Sequence, residues 1–275
     1  MTTTPDVEAL GTLLRETAEA EIMPRFGRAV ASGKADGSVV TAADLAAQER
    51  VRAALAAAHP DIPLLAEEMP AAEQEAVLRE SRRGAWCLDP LDGTSNFAAG
   101  FPFFAMALAW LDRGRVELGL VYDPVRRELF TARRGGGAAL NGAPLRLDRP
   151  AATLGAAIAL VDFKRLPAGL GSRLATAPPF RSQRNLGSTA LDWCWLAAGR
   201  ADLYAHGGQR LWDYAGGALV FAEAGGRPCL LDSWDGDCRD DLTLRKRIAV
   251  GAAHPALQAE WLAWLRADVQ AEGRG

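Results

Sequence analysis

Trp86-Cys87-Leu88-Asp89-Pro90-Leu91-Asp92-Gly93-Thr94-Ser95-Asn96-Phe97 is the stretch from which the fold of this chain is read. Ala85 to Leu88 is an apolar run without helical period that stops at two acids straddling a proline. That is the pattern of a buried strand with carboxylates at its end. Pro90 makes the segment from Asp89 to Asp92 a stiff turn, so that both acids and the Leu91 carbonyl point into one site. Gly93 lets the backbone approach a ligand closely, and the amides from Gly93 through Ser95 open a helix toward an anion. Thr94 adds a hydroxyl placed to orient water.

The same signal recurs just upstream, where Ile62-Pro63-Leu64-Leu65 runs into Ala66-Glu67-Glu68. Earlier still, Leu10, Leu13, Leu14, Ala18, Ile22 and Phe26 fall at helical intervals, predicting a helix over 7–26. After a loop at 32–37, Thr41 caps a second helix with Asp44 in its first turn, running toward His59-Pro60. Downstream, 104–111, 116–122 and 128–131 alternate with turn signals as an antiparallel meander, with a further turn at Gly135-Gly136-Gly137. From Ser188 the pattern becomes helix 189–198, strand 202–204, helix 212–224, strands 227–230 and 248–251, and helix 255–266. The expected organisation is an N-terminal α+β unit, 1–170, carrying acidic strand ends, and a C-terminal α/β unit, 171–275, that completes the site.

An enzyme that cleaves a phosphate ester without a covalent nucleophile recruits divalent cations to neutralise phosphate and acidify water. Magnesium takes hard oxygen ligands and keeps several waters, so a few carboxylates gathered at strand ends suffice. Glu67, Asp89 and Asp92 meet that description, and two metals can share Asp89. Each acid alone, Asp213 included, has a plain reading as a cap, turn or solvated residue. As a set they point to a metal site.

The quoted stretch resembles the signature of the inositol monophosphatase family, and Trp212-Asp213-Tyr214-Ala215-Gly216-Gly217 resembles its second signature. Glu67-Glu68, Val40-Thr41-Ala42-Ala43-Asp44, Asn141-Gly142, Gly187-Ser188 and Glu223-Ala224-Gly225-Gly226 match in order across 34–226. The resemblance implies a layered αβαβα fold, shared with fructose-1,6-bisphosphatase. It also implies metal ligation by Glu67, Asp89, the Leu91 carbonyl, Asp92 and Asp213, with two or three Mg2+ ions. Thr94, Asp44 and Glu67 are the implied catalytic residues, activating water for in-line attack without a phosphoenzyme. Asp92, Gly93, Thr94, Ser188, Thr189, His206 and Asp213 are the implied substrate contacts. Lithium sensitivity and a homodimer follow by the same analogy. Ala66 replaces a common glycine, Ser38 replaces an acid linked to a third metal, and Lys34 matches. His206 stands where inositol-preferring members carry a glutamate that grips sugar hydroxyls.

The expected reaction is hydrolysis of a small phosphorylated polyol, with histidinol phosphate, fructose 1,6-bisphosphate or a 3'-phosphonucleotide as alternative esters. Segments 181–189 and 206–211 are expected to line the leaving-group side. A non-catalytic metal-binding dimer acting through a protein partner is the alternative of another class. A haloacid-dehalogenase phosphatase separates its two acids by one residue, whereas two intervene here. The formal net charge of -3 gives no broad reason to expect nucleic acid or an anionic membrane as partner. Cys87, Cys194, Cys229 and Cys238 form no Cys-x-x-Cys pair, so reduced, buried thiols and a cytoplasmic location are expected.

Overall fold

The computed structural model describes residues 5–28, 32–33, 39–80, 84–148 and 153–267. Lys34 and Ser38 lie outside them. Helix α1, Val7–Thr17, continues as a π turn, Ala18–Ile22, and a 3-10 turn, Met23–Arg25. The sequence predicts one helix here, but Pro24 supplies no N–H and its ring crowds the preceding turn, so regular α geometry cannot pass through it. Short strands β1, Ser32–Gly33, and β2, Val39–Val40, pair antiparallel before helix α2, Ala42–Ala58. A capping box between Thr41 and Asp44 fixes the start of α2.

Both helices cover one face of a seven-stranded sheet in the order β3-β4-β5-β6-β7-β8-β9. Its strands are Leu64–Ala66, Ala85–Asp92, Ala105–Asp112, Arg115–Asp123, Glu128–Arg133, Gly137–Leu140 and Ala143–Leu145. Strands β3 and β4 run parallel, and the rest pair antiparallel. Helices α3, Ala71–Glu80, and α4, Thr94–Ala99, flank β4 in the chain.

A second sheet, ordered β11-β10-β12-β14-β13, holds β10, Ile158–Asp162, β11, Ser182–Arg184, β12, Leu203–Gln209, β13, Arg227–Leu231, and β14, Arg247–Ala252. Helices α5, Ala168–Thr176, and α8, Pro255–Arg266, close its outer face through Leu170, Leu174, Trp261 and Leu265. Helices α6, Thr189–Ala197, and α7, Leu211–Glu223, fill the space between the sheets. The result is the expected αβαβα layering. The first sheet ends at Leu145 and the second begins at Ile158.

Alternation along the first sheet sorts side chains by layer. Trp86, Leu88, Met106 and Leu108 face α1 and α2, while Ala85, Cys87, Ala105, Ala107 and Ala109 face α6 and α7. The second set is small, which lets α7 lie close to the strands. At the tightest point a Cβ on Gly119 would fall 2.6 Å from the Gly216 carbonyl oxygen. Glycine at both positions therefore sets the height at which α7, and Asp213 in its first turn, sits over the sheet.

The expectation of four reduced thiols is corrected. Cys229 and Cys238 form a disulfide with a Cα separation of 5.0 Å, and only Cys87 and Cys194 are free and buried. A turn folds the chain back along β13 so that Arg239 bridges to Leu230, which brings Cys238 beside Cys229. A separation of nine residues carries no motif that would announce this. Among the described residues no helix is long and apolar enough to cross a membrane.

Candidate active site

Asp89 and Asp92 are three residues apart, and in an unbroken strand they would point to opposite faces. The register removes that conflict: Asp89 pairs with Ala107 and Asp92 with Ala105, so Pro90 and Leu91 together stand opposite one residue of β5. This bulge restores parity and turns both carboxylates to the face shared with Ala105 and Ala107. Beside them β3 runs parallel to β4 with Ala66 opposite Leu88, and the Glu67 N–H donates to the Leu88 carbonyl at 3.2 Å. Glu67 is thereby set next to Asp89. Gly93 adopts φ +90°, a left-handed conformation that ends β4 and starts α4 with Thr94.

These groups open onto a cavity of about 200 Å³ lined by Glu67, Asp89, Leu91, Asp92, Gly93, Thr94, Ser188, Thr189, His206 and Asp213. The residues put forward as ligands, catalytic groups or substrate contacts thus line one cavity, except Asp44. Asp44 is buried one step behind, where its Oδ1 accepts from the Thr94 hydroxyl at 3.1 Å and its Oδ2 from the Thr41 hydroxyl and N–H at 2.6 and 2.8 Å. Asp92 is held by three donors: the hydroxyls of Ser188 and Thr189 and the N–H of Ala190, the last at 2.8 Å. Asp213 accepts the Arg210 N–H at 2.8 Å at the start of α7.

Negative charge is concentrated here, and Arg165 on the same lining offsets it only in part. Burial first, then Glu67, Asp92 and Asp213, push the Asp89 carboxyl well above the usual carboxylate range. Burial, Asp92 and Glu67 do the same to Asp213. Asp92 is also raised by burial, against the opposing pull of its three donors. Asp44 is raised by burial in spite of its bonds from Thr41 and Thr94. Burial, with Asp89 and Asp213, pushes the Cys87 thiol up as well, which leaves no thiolate nucleophile there. Among the described residues no three of these side chains converge as a finished ligand cluster. Hard oxygen donors whose charges oppose one another across a polar cavity nevertheless fit a divalent cation.

The cavity is also lined by residues that sequence reasoning does not reach: Asp162, Arg165 and Asp192. Asp162 ends the apolar run of β10, the same signal that marks Asp89, but in a region read only as the approach to a boundary. Asp192 is an acid in the otherwise apolar helix α6, and its Oδ1 has no hydrogen-bond partner. His206, an implied substrate contact, lies within β12 and is 5 % exposed.

The model of the inositol monophosphatase family matches residues 5–272. The chain belongs to that family. Nus factor SuhB of Pasteurella multocida is 37% identical over 201 residues, covering 71% of this chain and 73% of the relative. Nus factor SuhB of Pseudomonas aeruginosa is 39% identical over 196 residues, covering 68% and 70%. Among solved structures, an IMPase of Thermotoga maritima superposes with a TM-score of 0.81 at 27% identity, covering 97% of this chain and 98% of that one. Extragenic suppressor protein suhB of Bartonella henselae gives the same score and identity over 94% and 98%. The layered fold expected of the family is thus the fold of this chain.

Proposed function

We propose that this protein is a magnesium-dependent phosphomonoester hydrolase acting on a small phosphorylated alcohol. The observation that carries the reading is the convergence of Glu67, Asp89, Asp92 and Asp213 on one cavity beside a hydroxyl, Thr94, that leans on a buried carboxylate. Glu67, Asp89, the Leu91 carbonyl, Asp92 and Asp213 are the residues that would hold Mg2+, in two or three ions by family analogy. When bound, the cation supplies charge neutralisation at the phosphate and acidifies water.

The chain's own groups do the positioning. Thr94 has one proton and two acceptors within reach, Asp44 Oδ1 at 3.1 Å and the Leu91 carbonyl at 3.0 Å. With its proton directed inward, its oxygen lone pairs face the cavity and take up a water. As that water attacks phosphorus, the bond from phosphorus to the ester oxygen breaks, the water's proton passes to the Thr94 oxygen and the threonine proton to Asp44, and the departing alkoxide takes a proton from solvent water. Burial raises the affinity of Asp44 for a proton, which moves it toward the range a base needs near neutrality. Ser188, Thr189 and the Ala190 amide keep Asp92 from turning away. The alcohol departs toward the wall of Asp162, Asp192 and His206.

Phosphate release from inositol phosphate, histidinol phosphate, fructose 1,6-bisphosphate and a 3'-phosphonucleotide, with Mg2+ or a chelator and with lithium, tests this reading. Magnesium-dependent release is expected; no release from any ester overturns it. The name Nus factor, carried by the curated relatives, favours a second reading in which the same fold serves a protein partner. Asp213→Asn separates the two, since a partner role survives the loss of turnover.

A further inference from the structure

The residue at position 206 is poorly placed to read a substrate. Its Nδ1 accepts the Gly208 N–H at 3.1 Å, so the ring proton sits on Nε2, which is 3.3 Å from Asp162 Oδ2. Both nitrogens are occupied within the protein. Asp162 is paired with His206 across the parallel strands β10 and β12. Its Oδ1 also accepts from the Lys164 N–H at 3.1 Å and Asn185 Nδ2 at 3.3 Å. A carboxylate has about four acceptor positions, and three donors orient this one without exhausting it.

Burial pushes the Asp162 carboxyl up, but the hydrogen bond from His206, with the Lys164 amide and Arg165, prevails and holds it below the usual range. Gly207 makes the arrangement possible. A Cβ there would fall 1.6 Å from the Arg165 carbonyl oxygen, so only glycine lets the turn Phe163–Arg165 settle on β12 and keep Asp162 beside His206.

We infer that Asp162 is the specificity-determining residue for the leaving alcohol, accepting a hydroxyl that the alcohol carries beyond the esterified one, with His206 as its positioning residue. The inference rests on the phosphatase reading. Asp162, held ionised, puts negative charge on this part of the lining, so a second phosphate on the alcohol meets like charge there in spite of Arg165, whose Nε lies 3.9 Å from the Asp162 Oδ2.

The test measures kcat/KM for inositol 1-phosphate, phenyl phosphate, which has no further hydroxyl, and inositol 1,4-bisphosphate. In Asp162→Asn the preference for inositol 1-phosphate over each of the other two falls by about tenfold, the loss of one hydrogen bond to a charged acceptor, and the change sits in KM. His206→Ala shows the same loss, and His206→Gln, which keeps a donor, restores part of it. Equal losses on all three esters, or no change in either ratio, overturns the inference. If the wild-type protein cleaves none of them, nor histidinol phosphate, fructose 1,6-bisphosphate or a 3'-phosphonucleotide, the phosphatase reading fails separately. Calorimetry in Mg2+ then decides the inference, with affinity for inositol 1-phosphate expected to fall about tenfold relative to inorganic phosphate in Asp162→Asn. An unchanged ratio, or no binding of inositol 1-phosphate by the wild type, sinks it.

Discussion

The two walls of the cavity are built on opposite principles. One gathers Glu67, Asp89, Asp92 and Asp213, raises the proton affinity of Asp89 and Asp213 through burial and mutual charge and of Asp92 through burial, and leaves a demand for a cation. On the other, Asp162 is satisfied internally, tied to His206, Asn185 and the Lys164 amide and held ionised, while burial pushes the Asp192 carboxyl up. A frustrated cluster binds metal tightly because the metal relieves it, whereas a satisfied carboxylate offers a fixed acceptor and tolerates no change of position. On the proposed reading, chemistry belongs to the first wall and selection to the second.

The sharpest way to break that division is Asp89→Asn or Asp213→Asn. Each is expected to reduce kcat by about 10³-fold or more with every ester, as for loss of a preorganised charge at a reacting centre, in assays at saturating Mg2+. Thr94→Ala is expected to cost about 10²-fold in kcat through loss of the proton relay, while calorimetric Mg2+ affinity stays within about threefold. The Asp162 variants then shift selectivity by about tenfold without matching either of those effects.

Proton linkage gives a subtler contrast. Asp89 and Asp213 have raised proton affinity in the folded, metal-free protein, so their contribution to stability is complete below the ordinary carboxylate range of about 4 and is lost as pH rises through the raised values. Thermal unfolding in a chelator should show Tm falling as pH rises from that range. The slope should flatten in Asp89→Asn, and added Mg2+ should restore more stability at the high end. Asp162 works in the opposite sense, its contribution being present above the ordinary range and lost as pH falls below it. The smallest effect is expected of Cys238→Ser, which touches neither wall directly. Opening a short disulfide loop should cost about 2–3 kcal/mol of stability, read by denaturant unfolding under oxidising conditions, with unchanged ester preference.

Most of the first wall is legible in the sequence. Asp89, Asp92 and Glu67 announce themselves because each follows an apolar run, and a strand end is where a local pattern meets a site. Asp162 carries the same signal at the end of Ile158–Val161. It stands out less because β10 lies in a stretch whose neighbours, β11 and α5, are short and half-exposed and show no sustained period. Asp192 has no local signal at all, since an acid among apolar helix residues looks like one on a wet face until α6 is seen between two sheets. The disulfide is hidden for a similar reason: a turn, not a spacing, brings Cys238 to Cys229.

By itself the sequence determined the strand-turn-helix unit from Trp86 to Phe97, the caps at Thr41 and Asp44, and the acids that crowd one site, because these depend on residues within a few positions of each other. Tertiary structure alone decided the rest. The bulge parity at Pro90 and Leu91 depends on the register with β5, the height of Asp213 on Gly119 meeting Gly216, and the pairing of Asp162 with His206 on Gly207 admitting the Arg165 carbonyl. Each is a contact between segments distant in the chain, and its geometry is fixed by backbone packing that no local pattern encodes.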